Sequence, residues 1–153
     1  MNNTTTYSIL ERLPYTAPFR FVDDIQEVDE NHISGSFHLH PDLNFFKGHF
    51  TDNPITPGVI LTEILAQVGL VCLGIFLIGD EWQKQQLPFV LTSTNIEFYK
   101  PVYPDETVWV ESEKVYFRFG KLKCKVMMKN ALGETVCDGM ISGIQIKENN
   151  VTT

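Results

Sequence analysis

The sequence predicts an α+β fold in which a strongly curved antiparallel sheet wraps one long helix. Three observations carry this expectation. The stretch from Val59 to Gly79 is apolar on nearly every side, as a helix enclosed by its own protein must be. Around it lie five or six segments with strand-like alternation. The last three of those are joined by links too short for anything but an antiparallel meander. Another α+β roll shares this element order and stays open at this level.

The elements follow in order. Ser8 and Glu11 have the spacing of a capping box, and Pro14 stops the short helix they would start. Residues 20–28 (RFVDDIQEV) and 32–40 (HISGSFHLH) read as two strands joined near Asp29–Asn31. In the second, Ile33, Phe37 and Leu39 share one face, and His32, Ser34, Ser36, His38 and His40 the other. A loop from Pro41 to Thr56 precedes the long helix. Pro57 stands in the favoured first-turn position, and the helix ends near Gly79-Asp80. The second half reads as strands over Phe89–Phe98, Thr107–Phe117, Lys121–Lys129 and Thr135–Lys147. Turns fall at Pro101–Pro104, Gly120 and Asn130–Gly133. Residues 1–153 form one domain, with frayed ends expected over 1–7 and 148–153.

Bulk properties narrow the function. A net charge of −7 disfavours general nucleic-acid binding, because phosphates would be repelled. The apolar run is long enough to span a membrane. However, Thr62, Glu63 and Gln67 in its first third, with strands all around, argue for a core helix and no membrane. Cys72, Cys124 and Cys137 are odd in number and lack metal-type spacing, so a reducing cytoplasm is expected. No basic, apolar leader opens the chain. His38 and His40 without a nearby carboxylate or thiol are a weak metal signal and are read as exposed, so no metal site is expected. Phe98, Tyr99 and Trp109 are read as sheet packing.

Residues 48–67, GHFTDNPITPGVILTEILAQ, hold the chemistry. Glu63 is a carboxylate in an apolar helix. Burial would raise its pKa and let it serve as a general acid near neutrality. Gln67, one turn later, can hydrogen-bond one of its oxygens. His49 lies among Phe45, Phe46 and Phe50, surroundings that would keep an imidazole neutral, as a base requires. Gly58 opens the helix, offering a free N–H and no side chain to hold a ligand oxygen away. From Gly58 to Glu63 the helix rises about 7.5 Å. That suits a ligand with oxygens on alternate carbons, such as a β-hydroxy thioester.

These residues resemble the β-hydroxyacyl-[acyl-carrier-protein] dehydratases of type II fatty-acid synthesis, a hotdog-fold family. Gly48-His49-Phe50 matches its GHF box. Pro54-Ile-Thr-Pro57-Gly58-Val59 matches its P-x-x-P-G-V turn, and Glu63 to Gln67 its E-x-x-x-Q helix. Residues 13–28 (LPYTAPFRFVDDIQEV) and 95–108 (NIEFYKPVYPDETV) extend the likeness to about 13–145.

The resemblance implies that His49 is the base and Glu63 the acid. It makes the Gly58 N–H the oxyanion donor and places Gln67, Phe50 and Val59 about the substrate. It implies dehydration of a (3R)-hydroxyacyl thioester to the trans-2-enoyl thioester with no cofactor. It also implies a phosphopantetheine-bearing acyl carrier protein as partner and a homodimer, with a trimer of dimers open. Departures from the pattern are Thr51-Asp52 for the usual Pro-Gly, Thr56 for a common Met, and Tyr15-Thr16-Ala17 for His-Arg-Tyr. These bear on acyl-chain preference and leave the pathway open, fatty-acid or polyene and polyketide-like.

Lys121, Lys123 and Lys125 alternate with Leu122 and Cys124 on one strand, with Arg118 and Lys129 nearby. Such a face is either simply solvated or a dock for an acidic carrier, and Lys100 is a second candidate. Two other functions remain: a hotdog acyl thioesterase, and a non-catalytic carrier-binding subunit.

Overall fold

The computed structural model describes residues 3–80 and 88–146. Helix α1 (Asn3–Glu11) leads into strands β1 (Asp24–Val28) and β2 (His32–His38). A single 3-10 turn, Asn44–Lys47, sits in the loop that follows. The central helix then runs Gly58–Ile78 as α2 (Gly58–Ala66), a π turn (Gln67–Cys72) and α3 (Leu73–Ile78). Strands β3 (Phe89–Phe98), β4 (Thr107–Arg118), β5 (Lys121–Lys129) and β6 (Thr135–Gln145) complete the chain.

The six strands form one sheet in the order β1-β2-β4-β5-β6-β3, and every neighbouring pair is antiparallel. Irregular register falls between Ile25 and Glu27, Leu91 and Ser93, Lys114 and Tyr116, and Met128 and Lys129. Such bulges increase twist and bend a strand, which curves the sheet around the helix. This is the hotdog architecture, an open sheet folded about one helix.

The core lies between the sheet and that helix. Ile64, Leu65, Val68, Cys72, Leu73 and Ile75 are fully buried, as are Ile33, Val108, Val110, Leu122, Cys124 and Met128 opposite them. By length and composition the helix could cross a membrane, but 72% of its most apolar 18-residue window is buried inside the protein. It is the core helix. Close approach explains two strand glycines: a Cβ at Gly35 would meet Val68 at 2.8 Å, and one at Gly143 would meet Leu70 at 2.6 Å.

Several expectations need correction. Asn3 to Tyr7 are helical rather than frayed, and Ser8 lies inside α1 instead of capping it. The first two strands are shorter than read, beginning at Asp24 and ending at His38. The expected end of β6 at Lys147 and the frayed 148–153 fall outside the described residues. His38 is not simply exposed. Its Nδ1 lies 3.0 Å from Thr107 Oγ1 and its Nε2 2.9 Å from Asp105 Oδ1. Phe98, Tyr99 and Trp109, read as sheet packing, are 48%, 56% and 38% exposed, so each is only partly covered.

Candidate active site

His49 is built by a small ladder of backbone bonds. Phe50 and Asn53 exchange N–H···O bonds of 2.8 and 3.0 Å, and the Ile55 N–H donates to the His49 carbonyl at 2.8 Å. Thr51 and Asp52 form the tip. Asp52 holds φ 59, a left-handed position that a short acidic side chain tolerates, which is how the chain manages without the family's usual glycine. The peptide bond between His49 and Phe50 is cis.

The ring of His49 is oriented by the same ladder. Its Nδ1 lies 2.9 Å from the Ile55 carbonyl oxygen, which can only accept. In the neutral ring the proton therefore sits on Nδ1, leaving the Nε2 lone pair to take a proton from elsewhere. Phe50 stacks on the ring at 3.9 Å between centroids.

His49 opens onto a cavity of about 350 Å³, shared with Ile55, Thr56, Gly58, Leu61, Phe98 and the Tyr99–Pro101 turn. Gly58 begins α2, so its N–H is among those a helix leaves without an internal partner. A Cβ there would lie 3.4 Å from the Phe98 ring. His49 and Gly58 thus line one depression.

Glu63 is held differently. Gln67 is fully buried, and each of its polar atoms is used. Its Oε1 accepts from the Phe21 N–H at 2.8 Å. Its Nε2 donates to the Phe19 carbonyl at 3.0 Å and to Glu63 Oε2 at 2.9 Å. The amide can only point one way, and one of its protons is always offered to the carboxyl. Burial raises Glu63 above the ordinary carboxylate value, while the Gln67 hydrogen bond pulls it back. Burial also raises the Tyr15 phenol, with nearby Glu63 and then Cys72 adding to the effect. Gln67 is sealed in the core, so of the predicted site residues it touches only Glu63.

Glu63 is not among the residues lining the His49 cavity. The reason is rotation: five residues of α-helix advance about 7.5 Å but also turn about 500°, leaving Glu63 about 140° around the axis from Gly58. Val59, Glu63 and Gln67 form their own i, i+4, i+8 stripe, with Val59 76% exposed at its outer end. The rise-only reading missed this. Gly58 and Glu63 therefore face different sides of α2.

The remaining candidates are scattered. Lys100 forms a 2.9 Å ion pair with Glu134, and that pair, with Asn130, lowers the Glu134 carboxyl. Lys121, Lys123 and Lys125 share the outer face of β5, where Lys125 is opposed by Glu113. Among the described residues, no cluster of three or more His, Cys, Asp or Glu could hold a metal. Sequence reasoning missed Thr56, Phe98 and Tyr99 in the cavity, the Ile55 carbonyl, and the Phe19–Phe21 clamp on Gln67. The Ile55 carbonyl is set by the loop's own backbone ladder, and the others by tertiary packing, so none has a residue-type signature.

Fold and site together define a hotdog protein with a GHF histidine and an E-x-x-x-Q helix. A profile described as the FabA-like domain matches residues 13–141, and the chain belongs to that family. It is 37% identical over 134 residues to a 3-hydroxyacyl-[acyl-carrier-protein] dehydratase FabZ of Caldicellulosiruptor bescii, covering 86% of this chain and 91% of the relative. It is 34% identical over 142 residues to the FabZ of Bacillus subtilis, covering 84% and 98%. Among solved structures, the dehydratase heterocomplex ApeI:P from Xenorhabdus doucetiae superposes with TM-score 0.74 at 14% identity, covering 94% of this chain and 93% of that one. Zebra fish thioesterase superfamily member 2 gives 0.66 at 10% identity, covering 94% and 97%. At such identities these two speak for the fold alone.

Proposed function

We propose that this protein dehydrates (3R)-3-hydroxyacyl thioesters, carried on acyl carrier protein, to trans-2-enoyl thioesters in fatty-acid synthesis or a related route. The observation that carries the reading is the pair of oriented groups: an imidazole with Nε2 free, and a carboxyl whose burial favours its protonated form. His49 Nε2 takes the C2 proton, and the electron pair moves onto the thioester oxygen at the Gly58 N–H. As the enolate collapses to the C2=C3 double bond, Glu63 gives its proton to the C3 hydroxyl, which leaves as water. Loss of water changes no net oxidation state, so the chemistry calls for no redox cofactor. Incubating pure protein with a (3R)-3-hydroxyacyl carrier thioester separates the readings: enoyl product supports dehydration, free acid a thioesterase, and neither a non-catalytic subunit.

Two observations support a homodimer with sites shared between subunits. In one chain, Glu63 does not line the cavity that holds His49. Strand β3 is a ten-residue outer strand with Val90, Leu91 and Phe98 exposed at 40%, 41% and 48%, an edge that proteins ordinarily cover. Pairing it with its twin covers that edge and brings the half-sites of two chains together. The three unpaired, buried cysteines agree with a reducing cytoplasm.

The carrier dock we place on the β4–β5 hairpin. Six of the chain's twelve Lys and Arg residues fall in residues 114–129, which contain no Asp or Glu, in a protein of net charge −7. At its tip Phe119 is 97% exposed, at φ 53. A large apolar side chain there serves a partner better than the fold. Lys121 is aligned with Ile144, and Ile144 with Val90, so the hairpin lies at the start of β3. The cavity residue Phe98 is eight residues away, about 27 Å. Antiparallel pairing of two β3 strands reverses those ends and sets the hairpin of one subunit beside the cavity of the other. Reversing Lys121, Lys123 and Lys125 to glutamate should slow turnover of carrier-linked substrate and weaken its salt dependence, while sparing a small thioester. Equal loss on both substrates would remove the dock from this face.

A further inference from the structure

Among the described residues, two buried side-chain polar atoms have no hydrogen-bond partner: Thr56 Oγ1 and Gln145 Nε2. Thr56 is 3% exposed and belongs to the wall of the His49 cavity, two residues before Gly58. Its backbone is fixed, with the N–H donating to the Val102 carbonyl at 2.8 Å. The side chain alone is unaccounted for.

Within the chain that hydroxyl makes no hydrogen bond. Burying one without a partner is unfavourable, and valine would fill the same volume without the cost. Its neighbours on the same wall are the base and the N–H that opens α2. A hydroxyl placed there has one chemical use that the cavity itself suggests: to donate to an oxygen that gathers negative charge.

We propose that Thr56 Oγ1 is a second donor to the thioester oxygen, acting with the Gly58 N–H. This rests on the dehydratase reading. As His49 removes the C2 proton, charge builds on that oxygen. A donor that reaches it gains strength in the transition state more than in the bound substrate. The isolated N–H of Gly58 would otherwise bear the charge alone. Thr56 borders the cavity, and a change between staggered rotamers about its Cα–Cβ bond is the motion that would present the hydroxyl to a bound oxygen.

The test compares Thr56→Val, Thr56→Ser and wild type on a small (3R)-3-hydroxybutyryl thioester, with dimer stability measured in parallel. Thr56→Val should lose about 10- to 100-fold in kcat with KM nearly unchanged, and Thr56→Ser, which keeps the hydroxyl, should retain most of the rate. Unchanged kcat in a folded Thr56→Val protein would overturn the proposal. Equal losses in both variants would do so too, because the methyl group and not the hydroxyl would then matter. So would unchanged kcat with a weakened dimer, which would put the partner of the hydroxyl in the second subunit. If wild type makes no enoyl product at all, the dehydratase reading itself fails. If wild type is active and the valine variant matches it, only the role of Thr56 fails.

Discussion

The two groups of the proposed catalytic pair are supported in opposite ways. His49 stands in a loop, half-buried, with its ring held by a single bond to the Ile55 carbonyl. Glu63 stands on the core helix, backed by an amide with three hydrogen bonds and no exposure. A base must reach a carbon-bound proton and then release it to water, so it profits from an open setting. A carboxylic acid that must hold its proton profits from partial burial and a rigid support, and Glu63 has both. The difference teaches that His49 is oriented by its own loop, whereas Glu63 is oriented through Gln67 by a distant segment, and neither needs the other to be in position.

The severest way to break this comparison is to remove either group. His49→Ala and Glu63→Gln should each lose at least about 100-fold in turnover on a 3-hydroxyacyl thioester while circular dichroism shows an intact fold. Near-wild-type rates in both would end the assignment.

A smaller effect is expected from the support beneath the acid. Gln67→Leu leaves the Phe21 N–H and the Phe19 carbonyl unpaired in the core, at about 1–3 kcal/mol for each orphaned group. Urea unfolding should show that loss. With Glu63 no longer oriented, turnover should fall about 10-fold, less than for loss of the acid itself. A variant of unchanged stability would mean the clamp is not what holds this region.

The subtlest effect concerns pH. Burial raises the Glu63 pKa in the folded state above its unfolded value. Between those two values the folded chain binds more protons than the unfolded one, so this group makes stability fall as pH rises through the window. Below the unfolded pKa its contribution vanishes, and above the folded pKa the full cost remains. Glu63→Gln lacks the titration. Thermal melts of both proteins across the window should show the variant gaining on wild type as pH rises. Parallel curves would mean that Glu63 is not desolvated.

Much of this was legible in the sequence, and the parts that were not share a cause. Strands β3 and β5 fall where alternation and turn residues put them, because each is bounded by Pro or Gly within a few residues. The enclosed helix follows from its apolar circumference. Glu63 and Gln67 pair as i, i+4 spacing requires, which is a local rule. What escaped is azimuth and long-range contact. Rise along α2 suggested one site spanning Gly58 to Glu63, whereas rotation separates them. The clamp from Phe19 and Phe21 joins positions 46 to 48 residues apart. His38 reads as a surface residue until β4 and the turn before it bring Thr107 and Asp105 to its ring.

The central claim is that the base of one subunit works with the acid of the other, and coexpressing His49→Ala with Glu63→Gln tests it most directly. Random pairing makes half the dimers mixed, and each mixed dimer holds one intact site of two. Purified mixtures should therefore recover about a quarter of wild-type turnover, where each variant alone is nearly inactive. A folded, freely exchanging mixture that stays inactive would contradict the shared site and return both groups to a single chain.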